Sequence, residues 1–358
     1  MDPETPNVLI IGAGGVGVIV ALSLHTAGKC NVSLVVRSDY KHVLERGYKI
    51  SSVDHGELDG WRPHRLYRTV DAIAEGNEER VFFDYVVITT KNIPDGPTDS
   101  RVPNLIRPVL ESNRTIDAKR QTNIVLIQNG IDIEKEVFQT LDKALYNYTL
   151  LSGVILIGSH KVSHGVIEHV THERLSVGAF ESGDAAATAA ARGFIALYNN
   201  EKSSVEFDLR VRYSRWKKLL YNAAIGAITT LVDLDVPRSL QFGVNGKGTE
   251  NELFRPAMKE IIAIAATEGI VIDEKVIDFF IDASRDLIYK PSMCLDVEQD
   301  QLMELEVILG NPVRIAKAHR VETPILSTLY NLLLLIQGRI KEKRGLIHFD
   351  EKNIRVVE

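Results

Sequence analysis

Residues 8–17, VLIIGAGGVG, run from four apolar residues directly into a glycine-rich turn. A short apolar run followed by such a turn is typical of the first strand and first turn of a βαβ unit. Gly12, Gly14 and Gly17 fit the spacing G-x-G-x-x-G, and Gly15 adds another small residue. In this motif the first glycine permits a tight turn, the second lets the backbone approach a pyrophosphate, and the third allows close packing of helix on strand. The stretch predicts a dinucleotide site, with a glycine turn that binds no ligand as the alternative.

The composition is that of an ordinary globular protein, 45% hydrophobic and 25% charged, and 358 residues suit two domains. A net charge of −6 gives no reason to expect a nucleic-acid or membrane partner. Cys30 and Cys294 have no metal-like spacing and are too few for a disulfide framework. The first residues, MDPETPN, do not resemble a signal peptide. We therefore expect a soluble cytoplasmic protein.

The hydrophobic pattern changes from strand-like to helical near residue 209. Before that point, near-continuous apolar runs predict the strands of a parallel sheet at 7–11, 31–37, 84–90 and 122–128. Antiparallel strands that finish this sheet are predicted at 152–158, 164–170 and 174–180. Helices are predicted at 18–28, ended by Gly28, and at 184–198. After that point, helical spacing covers 212–233, 250–269, 274–287, 298–310 and 324–343. The predicted fold is α/β, with an N-terminal Rossmann-type dinucleotide-binding domain at 1–208 and an all-α C-terminal domain at 209–358.

The end of the second predicted strand distinguishes between cofactors. An NAD site usually has an acidic residue there, which accepts hydrogen bonds from the ribose hydroxyls. Here Arg37 stands twenty residues after Gly17 and is followed by Ser38. A guanidinium and a hydroxyl suit a 2′-phosphate, so the sequence favours NADPH. Two alternatives stay open: Asp39 as the ribose acceptor, and Arg37 as a solvated surface residue.

Polar residues follow two of the predicted strands. Lys91 comes after one strand in VVITTKN, and Asn129 comes after the next in IVLIQNG. Ligands of open α/β sheets bind beyond the carboxyl ends of the strands, so these two residues are candidate site residues. The alternatives are a solvated lysine and an ordinary Asn-Gly turn.

A third candidate group lies in the helical half. Lys218 and Asn222 are four residues apart and share a helix face. A partly desolvated lysine has a lowered pKa and can act as a general acid, although an ordinary surface lysine is the alternative and Lys217 lies beside it. Glu304 stands among apolar residues in LMELEVILG, where a carboxylate is either paired with a cation or turned to solvent. The histidines match no zinc spacing, so no metal site is predicted.

These motifs together resemble the ketopantoate reductases, which are NADPH-dependent enzymes. The resemblance covers about residues 7–340 and is carried by IGAGGVG, Arg37, TTKN, LIQNG, RWKKLLYN and PSMCLDVEQDQLMELEVILG. It implies that Lys218 is the general acid and that Glu304 holds this lysine. It also implies that Asn222 and Ser292 bind the oxygens of a small ketone substrate. Asn129 would lie by the nicotinamide ribose, Lys91 would lie near cofactor and substrate, and relatives often form homodimers.

One departure from the family pattern concerns the substrate. The family usually has a second asparagine four residues after the first, and this chain has Gly226 there. A site without this donor is expected to bind a hydroxylated 2-oxo acid less well. The family default is reduction of ketopantoate to pantoate, and the alternative is reduction of other ketones that are bulkier or uncharged. A distant alternative is a regulatory protein that binds NADPH without turnover.

Overall fold

The chain is described by a computed structural model over residues 5–75 and 80–357. Its contacts divide the chain into two compact units. The first, here called the sheet unit, comprises Met1–Lys91, Asp99–Gln128 and Ile133–Val211. The second, called the helical unit, comprises Asn92–Thr98, Asn129–Asp132 and Arg212–Glu358. Two short segments of the first half of the chain therefore belong to the helical unit.

In the part of the chain that the structure describes, the sheet unit has ten strands. These are β1 Asn7–Ile11, β2 Asn31–Val35, β3 Tyr48–Ser52, β4 Gly56–Trp61, β5 Arg65–Tyr67, β6 Tyr85–Ile88, β7 Thr122–Leu126, β8 Tyr148–Ser163, β9 Val166–Ala179 and β10 Val205–Phe207. The spatial order is β4-β3-β9-β8-β7-β6-β1-β2-β5, with β10 paired to β9. The run β5-β2-β1-β6-β7-β8 is parallel throughout. It has the 3-2-1-4-5-6 strand order of a dinucleotide-binding sheet, which confirms the predicted fold class.

The later strands differ from the prediction in detail. β8 and β9 are antiparallel, as expected, but the two runs predicted at 164–170 and 174–180 form one strand. β3, β4, β5 and β10 carry no long apolar run, and the three-residue strands are too short for a periodic signal. Their pairing is set by tertiary contacts, which a local pattern does not encode.

Over its described residues, the sheet unit contains seven helices: α1 Gly15–Ala27, α2 Tyr40–Arg46, α3 Asp71–Glu75, α4 Val102–Ile116, α5 Lys135–Thr140, α6 Lys143–Tyr146 and α7 Ala185–Tyr198. α1 is apolar on most sides and contacts β1, β2, β8, β9 and α7. A helix that is apolar all round must be covered all round, which explains why this one lies inside the unit. It ends at Gly28, whose φ of 64° gives the predicted left-handed cap.

The main part of the helical unit is its last segment, Arg212–Glu358. Its helices are α8 Val211–Leu219, α9 Ala227–Val232, α10 Val236–Gln241, α11 Arg255–Ala266, α12 Lys275–Arg285, α13 Ser292–Glu298, α14 Asn311–His319 and α15 Pro324–Lys343. Among its described residues, π-helical segments lie at Leu220–Gly226, Glu250–Phe254 and Glu306–Gly310, and a short 3₁₀ turn lies at Val244–Gly246. Another 3₁₀ turn, Thr98–Ser100, begins in the helical unit and ends in the sheet unit. The polar tail adds an unpredicted antiparallel hairpin, β11 His348–Asp350 and β12 Arg355–Val357.

The helix predicted over 298–310 is interrupted. α13 ends at Glu298, and the chain is non-helical as far as Glu304. Asp300 adopts a positive φ of 51°, and the N–H of Gln301 turns back to the carbonyl oxygen of Asp296. Helical spacing of the apolar residues hides this turn, because side-chain periodicity does not report backbone hydrogen bonds. Over residues 5–75 and 80–357, the helices are too short or too polar to cross a bilayer.

Candidate active site

The glycine turn has the geometry that its motif demands. Gly12 has a φ of +123°, and a Cβ there would lie 2.7 Å from both the Thr89 hydroxyl oxygen and the Thr90 nitrogen. A Cβ on Gly17 would lie 1.8 Å from the carbonyl oxygen of Gly12. Gly14, at the N-cap of α1, would place a Cβ at least 4 Å from the heavy atoms around it. The first and third glycines are therefore needed for packing, and the second leaves open space at a helix N-terminus, which suits an anion.

The residues after β2 differ in their exposure and in their hydrogen bonds. Arg37 and Ser38 are exposed, whereas Asp39 is only 2% exposed. Both carboxylate oxygens of Asp39 accept hydrogen bonds from the protein, one from Ser38 and Lys161 and the other from the N–H of Gly165. These contacts hold the pKa of Asp39 below its usual range, against the opposing effect of burial. Asp39 is thus engaged inside the protein, while the guanidinium of Arg37 is accessible.

A chain of hydrogen bonds in the helical unit joins three of the predicted site residues. The Nζ of Lys218 donates to the Oδ1 of Asn129 at 2.7 Å. The Nδ2 of Asn129 donates to the Oε2 of Glu304 at 2.8 Å. The other carboxylate oxygen of Glu304 accepts the backbone N–H of Asn92 at 2.9 Å. We call Lys218, Asn129 and Glu304 the lysine chain.

The surroundings of Lys218 change its acidity. Desolvation and the positive charge of Arg215 lower the pKa of Lys218 to about 8, and the charge of Glu304 opposes them. Arg215 is 4% exposed, and its Nη1 donates to the carbonyl oxygen of Gly130 at 3.3 Å. Arg215 was not among the candidate site residues predicted from the sequence. The feature that could have indicated it is its position three residues before Lys218, which places both cations on one face of α8.

The turn that carries Asn129 is held by close backbone packing. Gly130 has a φ of +96°, and a Cβ there would lie 2.6 Å from the carbonyl oxygen of Val307. The N–H of Ile131 donates to that same oxygen at 2.9 Å. The chain therefore bends at Asn129 and Gly130, and this bend places the Asn129 side chain within hydrogen-bond distance of Lys218.

The substrate residues implied by the resemblance lie on neighbouring elements of the same unit. Asn222 is half-buried in the π-helical segment Leu220–Gly226, which directly follows α8. Ser292 is exposed and begins α13, which contacts this segment. Interruptions of this kind in an α-helix often mark functional sites. Lys91 is exposed and belongs to the sheet unit, and Lys217 lies over the ring of Phe279.

One group of side chains has the proximity that a cation site needs. Ligand atoms of Asp233, Cys294 and Glu298 lie within 4.8 Å of one another. The Nζ of Lys290 already lies 2.8 Å from the Oδ1 of Asp233, and it also contacts Glu298. This ammonium offsets one of the two carboxylate charges, so these side chains already form an ion-pair network with Lys290.

Comparisons with known proteins give a consistent result. Residues 8–182 match the family described as Ketopantoate reductase PanE/ApbA, and residues 210–337 match its C-terminal counterpart. An uncharacterized protein of Saccharomyces cerevisiae is 57% identical over 98% of this chain and 99% of its own length. The crystal structure of 2-dehydropantoate 2-reductase from Methylococcus capsulatus has a TM-score of 0.76 and 30% identity, covering 93% of this chain and 97% of that one.

A more distant structure shares the fold. D-mandelate dehydrogenase, in a ternary structure with NADH and anilino(oxo)acetate, has a TM-score of 0.74 and 19% identity, covering 94% of this chain and 99% of that one. Since that protein is seen with NADH, the fold alone does not choose between NADH and NADPH. The choice depends on the residues that line the site.

Proposed function

The chain belongs to the ketopantoate reductase family, and from that premise we propose that it is an NADPH-dependent reductase that converts a ketone to an alcohol. Ketopantoate, reduced to pantoate, is the first candidate substrate. When bound, NADPH supplies the hydride that is added to the carbonyl carbon. The observation that carries the proposal is the lysine chain, because it supplies a positioned proton donor.

Lys218 is the proposed general acid. With a pKa of about 8 it is mostly protonated at neutral pH, yet it gives up its proton more readily than an ordinary lysine. Reduction of a ketone places negative charge on the oxygen, and an ammonium N–H can stabilise that charge and then transfer the proton. Asn129 accepts one N–H of Lys218 and so limits the directions of the other two.

Glu304 is proposed to act on the same step. Its carboxylate fixes the amide of Asn129, and its charge keeps the pKa of Lys218 from falling further. The N–H of Asn92 holds the other carboxylate oxygen, so Glu304 has little freedom to turn away. The arrangement preorganises the donor before substrate arrives.

The proposed cofactor site uses the glycine turn and the end of β2. Gly12, Gly14, Gly15 and Gly17 would receive the pyrophosphate, and Arg37 with Ser38 would bind the 2′-phosphate. The preference for NADPH is supported by the exposure of Arg37 and by the engagement of both oxygens of Asp39. Lys91 and Asn129 are proposed for the nicotinamide side, as the resemblance implies.

The proposed substrate residues are Asn222, Ser292 and Lys91. Each offers a donor to a carboxylate or hydroxyl oxygen of a small ketone. We also propose that the protein is cytoplasmic, as the sequence leads us to expect, and that it forms a homodimer, as the resemblance implies.

A second candidate substrate class is favoured by Gly226. This residue is buried, yet a Cβ there would meet only the carbonyl oxygen of Tyr221, at 4.0 Å. The carbonyl oxygen of Gly226 accepts hydrogen bonds from the hydroxyls of Thr229 and Thr230, which holds the backbone in place. Space where relatives have an asparagine favours ketones that are bulkier or uncharged.

The test is NADPH oxidation by the purified protein with ketopantoate, beside uncharged ketones and ketoesters at matched concentrations. A kcat/KM highest for ketopantoate by orders of magnitude supports the family default. Turnover of the other ketones, with ketopantoate inert, supports the second class. Gly226→Asn sharpens the result, since it should raise the relative kcat/KM for ketopantoate only if the space determines specificity. Absence of turnover with every ketone would contradict the reductase proposal and favour a regulatory NADPH-binding protein.

A further inference from the structure

β8 extends well beyond its parallel partner in the sheet. β7 pairs with β8 only from Tyr148 to Ser152, whereas β8 and β9 continue as an antiparallel pair as far as Ser163 and Val166. We call residues 156–174 the hairpin arm. The second strand of the arm, which belongs to β9, pairs in parallel with β3 from Lys49 to Ser52, so the arm is part of the sheet.

The arm runs beside the glycine turn. A Cβ on Gly15 would lie 2.5 Å from the carbonyl oxygen of Ser159 and the nitrogen of His160. Only glycine allows the start of α1 to approach the arm this closely. The turn of the arm, at Gly165, has a φ of +69°, and a Cβ there would lie 2.4 Å from the ring of His42 in α2. The arm therefore touches the helices that follow β1 and β2.

Lys161, in this arm, reaches the residues that follow β2. Its Nζ lies 3.1 Å from the Oδ1 of Asp39 and 3.4 Å from the hydroxyl oxygen of Ser38. The other oxygen of Asp39 accepts the N–H of Gly165, at 3.2 Å. The Asp39 side chain is 2% exposed and that of Lys161 is 34% exposed. The buried Asp39 side chain thus binds two residues of the arm, Lys161 and Gly165, and the ammonium of Lys161 lies nearer the surface, beside Ser38.

The charges at this point leave a net positive site. Lys161 neutralises Asp39, so this carboxylate does not repel an anion, and Arg37 stays as an accessible cation. An ammonium has three N–H bonds, and two of them have partners among the described residues. The third can be directed at an oxygen next to Ser38.

We propose that Lys161 is a specificity-determining residue that contacts the 2′-phosphate of NADPH together with Arg37, and that Asp39 is a positioning residue for it. This inference rests on the proposed NADPH preference. It explains why an acidic residue can stand close to the end of β2 in an NADPH-dependent protein. The acid there binds the protein's own lysine rather than a ribose.

The test measures binding rather than turnover. Dissociation constants for NADPH, NADH and adenosine 2′,5′-bisphosphate are measured by calorimetry for the wild type, Lys161→Gln, Lys161→Arg and Arg37→Gln. Lys143→Gln is the matched control, since Lys143 is a partly exposed, ion-paired lysine elsewhere in the sheet unit. Lys161→Gln is expected to weaken NADPH and the bisphosphate about 10-fold and to change NADH less than about 2-fold. Lys161→Arg should keep the wild-type preference.

The possible results distinguish the role proposed for Lys161 from the NADPH preference on which it rests. If the wild type prefers NADPH and Arg37→Gln abolishes the preference, while Lys161→Gln acts on both dinucleotides equally or on neither, the assignment of Lys161 is overturned and the NADPH preference stands. If the wild type binds NADH as tightly as NADPH, or binds neither, the cofactor proposal fails and the role of Lys161 fails with it.

Discussion

Two hydrogen-bonded groups of polar side chains, one in each unit, resemble each other in chemistry and differ in setting. The lysine chain of the helical unit joins a cation, an amide and a carboxylate. The second group, here called the sheet cluster, joins Glu173 to the hydroxyls of Ser23 and Tyr198, with His55 and Ser203 beside Ser23. Both groups contain pKa values far from the ordinary ones. Burial raises the pKa of Glu173 to about 7 and lowers that of His55 to about 4.

The backbone that carries the side chains distinguishes the two groups. Most of the sheet cluster lies on regular elements, with Ser23 in α1, Glu173 in β9 and Tyr198 in α7. The lysine chain lies at or beside interruptions of regular structure. Asn129 lies in a bend, Lys218 lies in the last turn of α8 just before a π-helical segment, and Glu304 ends the non-helical run that follows α13. A shifted pKa marks burial, and burial alone does not make a site. We therefore propose that the irregular backbone positions the lysine chain for chemistry, and we expect the sheet cluster to contribute to stability.

The largest expected effect tests that contrast directly. Lys218→Ala removes the proposed proton donor, so kcat should fall by about 10² to 10⁴. The dissociation constant of NADPH, measured by fluorescence titration, should change by less than about 3-fold, because the proton is needed only in the reaction. Lys217→Ala is the matched control and should keep kcat. Equal losses from the two variants would remove Lys218 from its role.

The next effect concerns the carboxylate that supports the lysine. Glu304→Gln keeps the shape of the side chain and removes the charge that raises the pKa of Lys218. We expect kcat to fall about 10-fold and the high-pH limit of activity to move to lower pH. Arg215→Gln removes a charge that lowers the same pKa, so it should move the limit to higher pH. A pH profile of kcat/KM measures both, and shifts in the same direction would contradict the account.

In the sheet cluster, Tyr198→Phe should act on stability instead. It removes the hydroxyl that donates to Glu173 and leaves a carboxylate oxygen without that partner. The free energy of unfolding, measured with denaturant, should fall by about 1–3 kcal/mol, while kcat stays within about 2-fold. Tyr40→Phe is the control, since Tyr40 is partly exposed, and it should cost less than about 0.5 kcal/mol. A large loss of kcat at unchanged stability would give the sheet cluster a catalytic role.

The smallest effect is a pH dependence of stability. The raised pKa of Glu173 means that the folded state keeps a proton that the unfolded state has lost, between the ordinary value of 4.5 and about 7. The contribution of this group to stability therefore falls as pH rises through that window and is constant above it. The stability of the wild type minus that of Glu173→Gln should decline across the window, by at most about 3 kcal/mol for a shift from 4.5 to about 7. His55 is present in both proteins, so its opposite dependence cancels, and a flat difference would contradict the assignment.

Local patterns in the sequence were sufficient to predict the fold class and several of its elements. The glycine spacing of 8–17, the buried strand runs and the Gly28 cap each depend on a few consecutive residues, and the structure agrees with them. Helical periodicity placed most of the second half, but it missed the break before Glu304. That break depends on a backbone turn at Asp300, which the spacing of apolar residues does not reveal.

Contacts between distant residues could not be predicted in the same way. Arg215 matters because of its effect on Lys218, and the N–H of Asn92 matters because Glu304, more than two hundred residues later, needs a donor. Lys161 has no motif at all, and only the pairing of β8 with β9 brings it to Asp39. Such residues are found from geometry, because the sequence carries no local pattern for them.

The proposed role of Lys218 as proton donor is tested by the pH dependence of NADPH-driven ketone reduction, measured for the wild type and Lys218→Ala with ketopantoate and the ketone panel. We expect the wild type to reduce at least one of these ketones. Its kcat/KM should fall as pH rises through about 8, because Lys218 must be protonated to act, and the residual rate of the variant should lack that fall. Absence of turnover with every ketone, or a variant that keeps both the rate and the profile of the wild type, would contradict this proposal.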